Sequence, residues 1–472
     1  MIDKQILKDV LAAAMSEGGD FADIFIENKK GTGISCEGGN IERVHTGTDI
    51  GAGIRVISGE STSYAYTNDL TLEGLTKAAE IVSHAAVGTK KELNIDLTKL
   101  QPVVDFDIKM RPEDIKTEEK VAAVNAADRA AREAGGDAIK QVMVGYGDVV
   151  QQVTIANSEG DYVEDERIRT RLFVQAVATE NDIIQTGMEV VGSHSGFELF
   201  KKFLPEDVAQ SAADRARQML KAKPAPSGRM PVVMSAEAGG TMVHEACGHG
   251  MEADLVQKEL SVYAGKIGDK VASDKITVID DATMQDRYGS YSFDDEGVPS
   301  KPVTLIENGI LKDYMYDRLT STVDGRKSNG HGRRESYQDK PIPRMGNTYI
   351  APGKDDPETI IKGVNKGLLV KKMGGGQVNT TTGDFVFDVA EGYLIENGEI
   401  GPMVRGATLT GNGPEVLANV EMVGSDLGFT IGTCGKEGQG VPVSDAQPTM
   451  AIKEIIVGGT EQNRPNGKIR RL

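Results

Sequence analysis

Two of the six histidines in this chain stand in one short run, GGTMVHEACGHGMEAD (239–254), with a glutamate directly after the first. Imidazole, carboxylate and thiol side chains bind divalent transition metals, and a glutamate beside a metal ligand is placed to act as a general base. In the His-Glu-x-x-His helix of zinc peptidases the histidines lie four residues apart, about 40° around the cylinder, and share one ion. Here His244 and His249 are five apart, which on a regular α-helix is about 140°, too divergent to share an ion. A metal site therefore requires a deformed helix, and one π-type bulge that absorbs a residue is the simplest deformation. Gly239, Gly240, Gly248 and Gly250 agree with irregular backbone, since each would cost a plain helix about 1 kcal/mol relative to alanine. Spacing alone leaves metal binding and coincidence both open.

A catalytic zinc takes three protein ligands and keeps one position for water. Cys434, in what reads as a polar, glycine-rich loop, GTCGKEGQGVPV (432–443), is the candidate third ligand, because a thiolate binds zinc well. No spacing rule ties it to the histidines. Glu245 would take a proton from water and pass it to the leaving amine of a cleaved peptide. Glu252 and Asp254 either orient the histidines or sit at a solvated helix end. Cys247 reads as a small core residue, and Cys36, inside an alternating strand, as structural. His331, in the basic run GRKSNGHGRRE (325–335), either grips a substrate carboxylate or lies in a solvated loop, while His45, His84 and His194 stand alone. Gly374-Gly375-Gly376 matches no phosphate-binding pattern. It reads as a strand edge on which an extended peptide can pair.

These residues need a scaffold, and the chain spells one out. Residues 3–17 have helical periodicity and stop at Gly18-Gly19. Short alternating runs from Asp23 to Asn68 predict an antiparallel meander, and a second helix follows from Leu72 to Ala86, with Thr71 as its cap. The order then recurs, with a helix over 117–134, strands, and a helix over 205–222, which points to a possible internal duplication. The run KPAPSG (223–228) cannot continue a helix and is the best linker. The expected division is an N-terminal α+β domain over 1–225 and a glycine-rich, strand-rich C-terminal catalytic domain over 226–472 carrying the irregular metal-binding helix. Asn308-Gly309 and Asn397-Gly398, each between apolar alternations, predict hairpins. The fold class is α+β.

Composition narrows the function. At 472 residues, two domains are expected. The net charge of −18 opposes contact with phosphate backbones, so nucleic acid is not expected as a partner. No apolar run approaches the roughly 18 residues of a membrane helix, and the N-terminus lacks a basic, apolar and small-residue leader. With three cysteines and no disulfide framework, a soluble protein in a reducing cytoplasm is expected, with no membrane partner.

Through HEACGHGMEAD (244–254), SNGHGRRESYQDKPIPRMGNTYIAPG (328–353), GGGQVNTTTGDFVFDVAEGYLIENGEI (374–400), VRGATLTGNGPEVL (404–417) and GTCGKEGQGVPVSDAQPTM (432–450), the chain resembles the TldD/PmbA family, and within it the TldD-type subunit. The resemblance implies a metallopeptidase with Zn2+ held by His244, His249 and Cys434 and with Glu245 as base. It further implies a peptide or unfolded-protein substrate cleaved in a closed dimer cavity, the dimer being a homodimer or a heterodimer with a PmbA-type (TldE) subunit that lacks the motif. Around His331 the run departs from the family's Gly-Asn-Gly-Arg-Arg pattern. The alternative is a non-catalytic partner or regulatory subunit of a peptidase complex.

Overall fold

The computed structural model describes residues 2–86 and 95–460. Asp3 caps the first helix, Lys4–Ala14, by accepting the Gln5 N–H at 2.7 Å. Leu7, Val10, Leu11 and Ala14 form its buried stripe, and each such large apolar side chain contributes about 1.5–3 kcal/mol on burial. Three antiparallel strands follow, Phe21–Glu37, Asn40–Ser58 and Ser61–Thr67, and then the helix Leu72–Ser83, which Thr71 caps. The same order is built again from the helix Thr117–Gly135, the strands Ile139–Asn157, Asp161–Glu180 and Ile183–Ser193, and the helix Pro205–Lys221. The two meanders join through their first strands, Phe21–Glu37 running antiparallel to Ile139–Asn157, so one sheet results with its element order reflected about that seam.

Among the described residues the later strands make two larger sheets and one short antiparallel pair, Gly332–Arg333 with Ile342–Pro343. Gly228–Met234, Lys366–Val378, Asp384–Glu396, Thr408–Asn412 and Met450–Gly458 pair in a closed ring. Its core holds Phe385, Phe387 and Leu409 together with Met242, Val243, Ala246, Cys247 and Met251 of the motif segment. The other sheet runs in the order Ile310–Leu311, Val303–Glu307, Val278–Asp280, Asn347–Ile350, Gln439–Gln447, Gly428–Lys436, and its last strand has a free edge among the described residues. Both predicted Asn-Gly hairpins form: Asn308-Gly309 and Asn397-Gly398 have positive φ at both positions, as a two-residue primed turn demands. Composition made 223–228 a linker, yet Lys223–Pro224 pairs with Val404 and Arg405 at the edge of the ring sheet.

The N-terminal sheet docks on the later residues through buried charge. Arg55 is engulfed, with Nε donating to Asp23 at 3.0 Å and Nη1 2.7 Å from Glu296. Arg167 pairs with Asp165 and Asp295. Asp317 crowds the same Glu296, and burial followed by that repulsion pushes its carboxyl well above the ordinary range. The folded state therefore binds a proton there that the unfolded chain has released once pH exceeds about 4, so stability falls as pH rises through that window. Asp317→Asn keeps an oxygen to accept the Thr320 N–H and removes the charge. Thermal melts at about pH 5 and about pH 8 should show a shallower loss for the variant and a higher melting temperature than the parent at the upper pH. Parallel curves would exclude Asp317 as the source.

Candidate metal centre

The motif segment is irregular from end to end. A short α-turn over Thr241–Val243 gives way to a π-turn over His244–Gly248, a 3-10 turn over His249–Met251 and a last α-turn over Ala253–Gln257. The His249 N–H donates to the His244 carbonyl five residues back, which is the bond that defines a π-bulge. Two contacts favour the bulge. Tyr263 donates its hydroxyl to the Ala246 carbonyl at 2.8 Å, and Gly413 packs so closely that a Cβ there would lie 2.3 Å from that same oxygen. The neighbouring glycines answer to crowding. A Cβ on Gly240 would fall 2.1 Å from Ala446 N, and one on Gly248 would fall 2.2 Å from Met345 Sδ.

With one residue absorbed, the imidazoles of His244 and His249 stand edge to face, their ring centres 4.9 Å apart. Cys434 meets them from the strand Gly428–Lys436, a strand where composition suggested a loop. One ligand atom from each of the three residues lies within 4.8 Å of the others, and Cys434 Sγ is 3.4 Å from His249 Nε2. The two-residue turn Glu437-Gly438 folds this strand against Gln439–Gln447, setting Cys434 opposite Val441 and Thr430 opposite Asp445. Directly paired residues point to the same face, so Cys434, Lys436 and Asp445 all face the histidines.

The outer ring nitrogens are held by carboxylates. His244 Nδ1 is 2.7 Å from Asp445, and His249 Nδ1 is 3.0 Å from Glu252. Such partners fix tautomer and orientation and leave each Nε2 free to bind. Lys436 Nζ in turn lies 3.1 Å from Glu252 and 2.6 Å from Asp254. Thus Glu252 does orient a histidine, whereas Asp254 anchors the lysine. Burial disfavours the Glu252 carboxylate, but Lys436, His249 and Arg344 outweigh it and hold its pKa at about 2. At Cys434 burial opposes the thiolate, and hydrogen bonds from both histidines overcome it, bringing the thiol to about 5. Burial lowers His249, yet Glu252 and Cys434 raise it to about 9. Two imidazoles and a ready thiolate, converging with their outer atoms already engaged, suit a tetrahedral ion with one open position.

Glu245 is half-buried and points into a cleft of about 700 Å³ that also exposes His244, His249 and Cys434. Burial raises its carboxyl, only partly countered by the two histidines. One wall is Gly374 and Gly375, another the edge strand at 430–436, and a third Met188 and Val190 from the N-terminal sheet.

The other singled-out residues fall outside this cluster. Cys247 is buried, its thiol bonded to the Val243 carbonyl and pushed by burial to about 12. Cys36 is buried in a strand. His331 is neither a surface grip nor in a solvated loop: it is 2% exposed, bonded to Asn329 and 3.2 Å from Asp280. His194 is buried against Phe106. Sequence reasoning missed Asp445, Lys436 and Tyr263. The Glu-Gly turn could have given the first two, because it fixes hairpin register and hence which residues share the face of Cys434; nothing local marks Tyr263.

Three family models match the chain: PmbA/TldA metallopeptidase domain 1 over residues 22–86, the central domain over 111–220 and the C-terminal domain over 227–459. A metalloprotease TldD homolog of Haemophilus influenzae is 38% identical over 452 residues, covering 93% of each chain. A zinc metalloprotease TldD homolog of Saccharolobus solfataricus is 30% identical, covering 94% of this chain and 97% of its own. The crystal structure of TldE from Thermococcus kodakarensis shares the fold at a TM-score of 0.76 and 20% identity, with 96% of this chain and 100% of that one covered. With all three models and this level of identity, the chain belongs to the TldD/PmbA family of metallopeptidases.

Proposed function

We propose that this protein is a zinc peptidase in which His244, His249 and Cys434 hold the ion and Glu245 is the general base. The observation that carries the reading is the convergence of two imidazoles and a thiol within 4.8 Å, beside a cleft-facing glutamate. The alternative donors fit less well, since Cys247 faces the core and His331 is committed to Asp280. Zinc, when bound, supplies Lewis acidity and lowers the pKa of water. Glu245 accepts the proton from the attacking water and returns it to the leaving amine, and its desolvated carboxyl, with a raised affinity for protons, suits that exchange. The free edge of Gly428–Lys436 and the open glycines at 374–375 leave main-chain room for an extended peptide beside these groups. Residues 226–472 carry this chemistry in our reading, and residues 1–225 wall the cleft. A homodimer, or a heterodimer with a TldE-type subunit, would close it. The three free cysteines agree with a reducing cytoplasm.

Glu245→Gln should lower peptide hydrolysis by about 10²–10⁴-fold, the usual share of general acid–base catalysis, while elemental analysis finds zinc retained. Full turnover in this variant would remove Glu245 as the general base. Asp445→Asn should weaken zinc affinity by about 10–100-fold, because a neutral amide orients His244 and raises its basicity less than the carboxylate does; competition with a chelator measures this, and unchanged affinity would remove Asp445 from the site.

A further inference from the structure

A second cavity, of about 740 Å³, lies between the N-terminal sheet and the hairpin 428–447. Seven lysines and arginines line it against four carboxylates, in a chain whose net charge is −18. Two of those cations are unusual. Arg169 is 6% exposed and Arg333 is 4% exposed, yet neither has a carboxylate partner among the described residues. Arg169 Nε and Nη2 donate to the carbonyls of Tyr288 and Ser290, each at 2.8 Å. Arg333 donates to the carbonyls of Met345 and Pro442. Asp295, which both guanidinium groups feel, is already ion-paired with Arg167. Burial lowers the pKa of Arg169 to about 9, and the neighbouring Arg167 and Arg333 add to that effect. By contrast Arg55 and Arg167, at the same junction, each meet two carboxylates.

Carbonyl acceptors satisfy hydrogen bonds without neutralising charge, and a buried cation without an anion is strongly unfavourable. Tying two segments together would need only donors, which a neutral amide supplies. The arrangement therefore suits an anion supplied from outside. On the rim, Lys29, Arg43 and Arg171 line the cavity with no ion pair among the described residues, so attraction continues from the mouth inward. Thr433, next to Cys434, lines both this cavity and the cleft holding Glu245. The two spaces are thus neighbours across one edge strand.

We propose that this cavity binds a carboxylate of the peptide substrate, an acidic side chain or a C-terminus, through Arg169 and Arg333. This rests on the peptidase reading above. The test uses full-length, zinc-loaded Glu245→Gln protein and calorimetric titration with a glutamate-rich peptide and its glutamine-substituted, C-terminally amidated counterpart. The acidic peptide should bind about tenfold more tightly, the order of one charge-assisted hydrogen bond. That preference should largely vanish in Arg169→Gln. Should that variant not fold, the exposed rim substitutions Arg43→Gln and Arg171→Gln together should reduce the preference several-fold and lower its salt sensitivity, because exposed charges are the ones that salt screens. Equal binding of the two peptides, or a preference that survives the arginine changes, overturns the proposal. So does inorganic phosphate that binds at Arg169 without being displaced by the acidic peptide, which would mark a site for free anions. Wild-type holoenzyme that cleaves neither peptide while the preference persists would defeat the peptidase reading and leave this site standing.

Discussion

The hydrogen bond from the His249 N–H to the His244 carbonyl sets the geometry on which the site depends. A regular helix would send these imidazoles about 140° apart; the extra residue in the turn brings their ring centres to 4.9 Å. A π-turn is intrinsically less favourable than an α-turn, so its surroundings must select it. Tyr263 does so by bonding to the Ala246 carbonyl, and the segment's apolar side chains, Met242, Val243, Ala246 and Cys247, are locked into the core of the ring sheet. The deformation is thus held by packing on one side while the other side faces the cleft.

The hairpin 428–447 performs the complementary task. One face presents Cys434, Lys436 and Asp445, so a single element supplies the third proposed ligand, the acceptor for His244 and the cation that holds Glu252 beside His249. Tight register follows from its two-residue turn, and a slip by one residue would turn all three side chains away. The opposite edge of the same strand is unpaired among the described residues, so the strand that carries Cys434 also borders the cleft.

Much of this was legible in the sequence, for physical reasons that differ by feature. The need for a bulge followed from helix geometry once the five-residue spacing was noted, and the Asn-Gly hairpins followed from positive-φ requirements. The helix cap at Thr71 and the repeated helix–meander–helix order also carried local signals. What failed was long-range. Cys434 was read as a loop residue because glycine and polar content in 432–440 mimic a turn, whereas an edge strand tolerates that composition. His331 looked like part of a basic surface loop, but the carboxylates that bury that run, Asp280, Asp294 and Asp295, come from segments far away in sequence. No local pattern can reveal a counter-charge supplied from elsewhere.

The same absence of local signal applies to the division of labour between the two glutamates of the motif segment. Glu245 and Glu252 are identical in type and seven residues apart, yet their surroundings drive them in opposite directions. Glu252 is fully buried among Lys436, His249 and Arg344, which keep it ionised and immobile. Glu245 is desolvated, the two histidines only partly offset that effect, and its carboxyl faces the cleft. A carboxylate locked in ion pairs orients a ligand well and exchanges protons poorly, while one with a raised affinity for protons and open access does the reverse. Environment, rather than residue type, therefore suits Glu245 to the proton transfer proposed for it and Glu252 to positioning. That difference depends on Lys436, which the Cys434 strand delivers to Glu252.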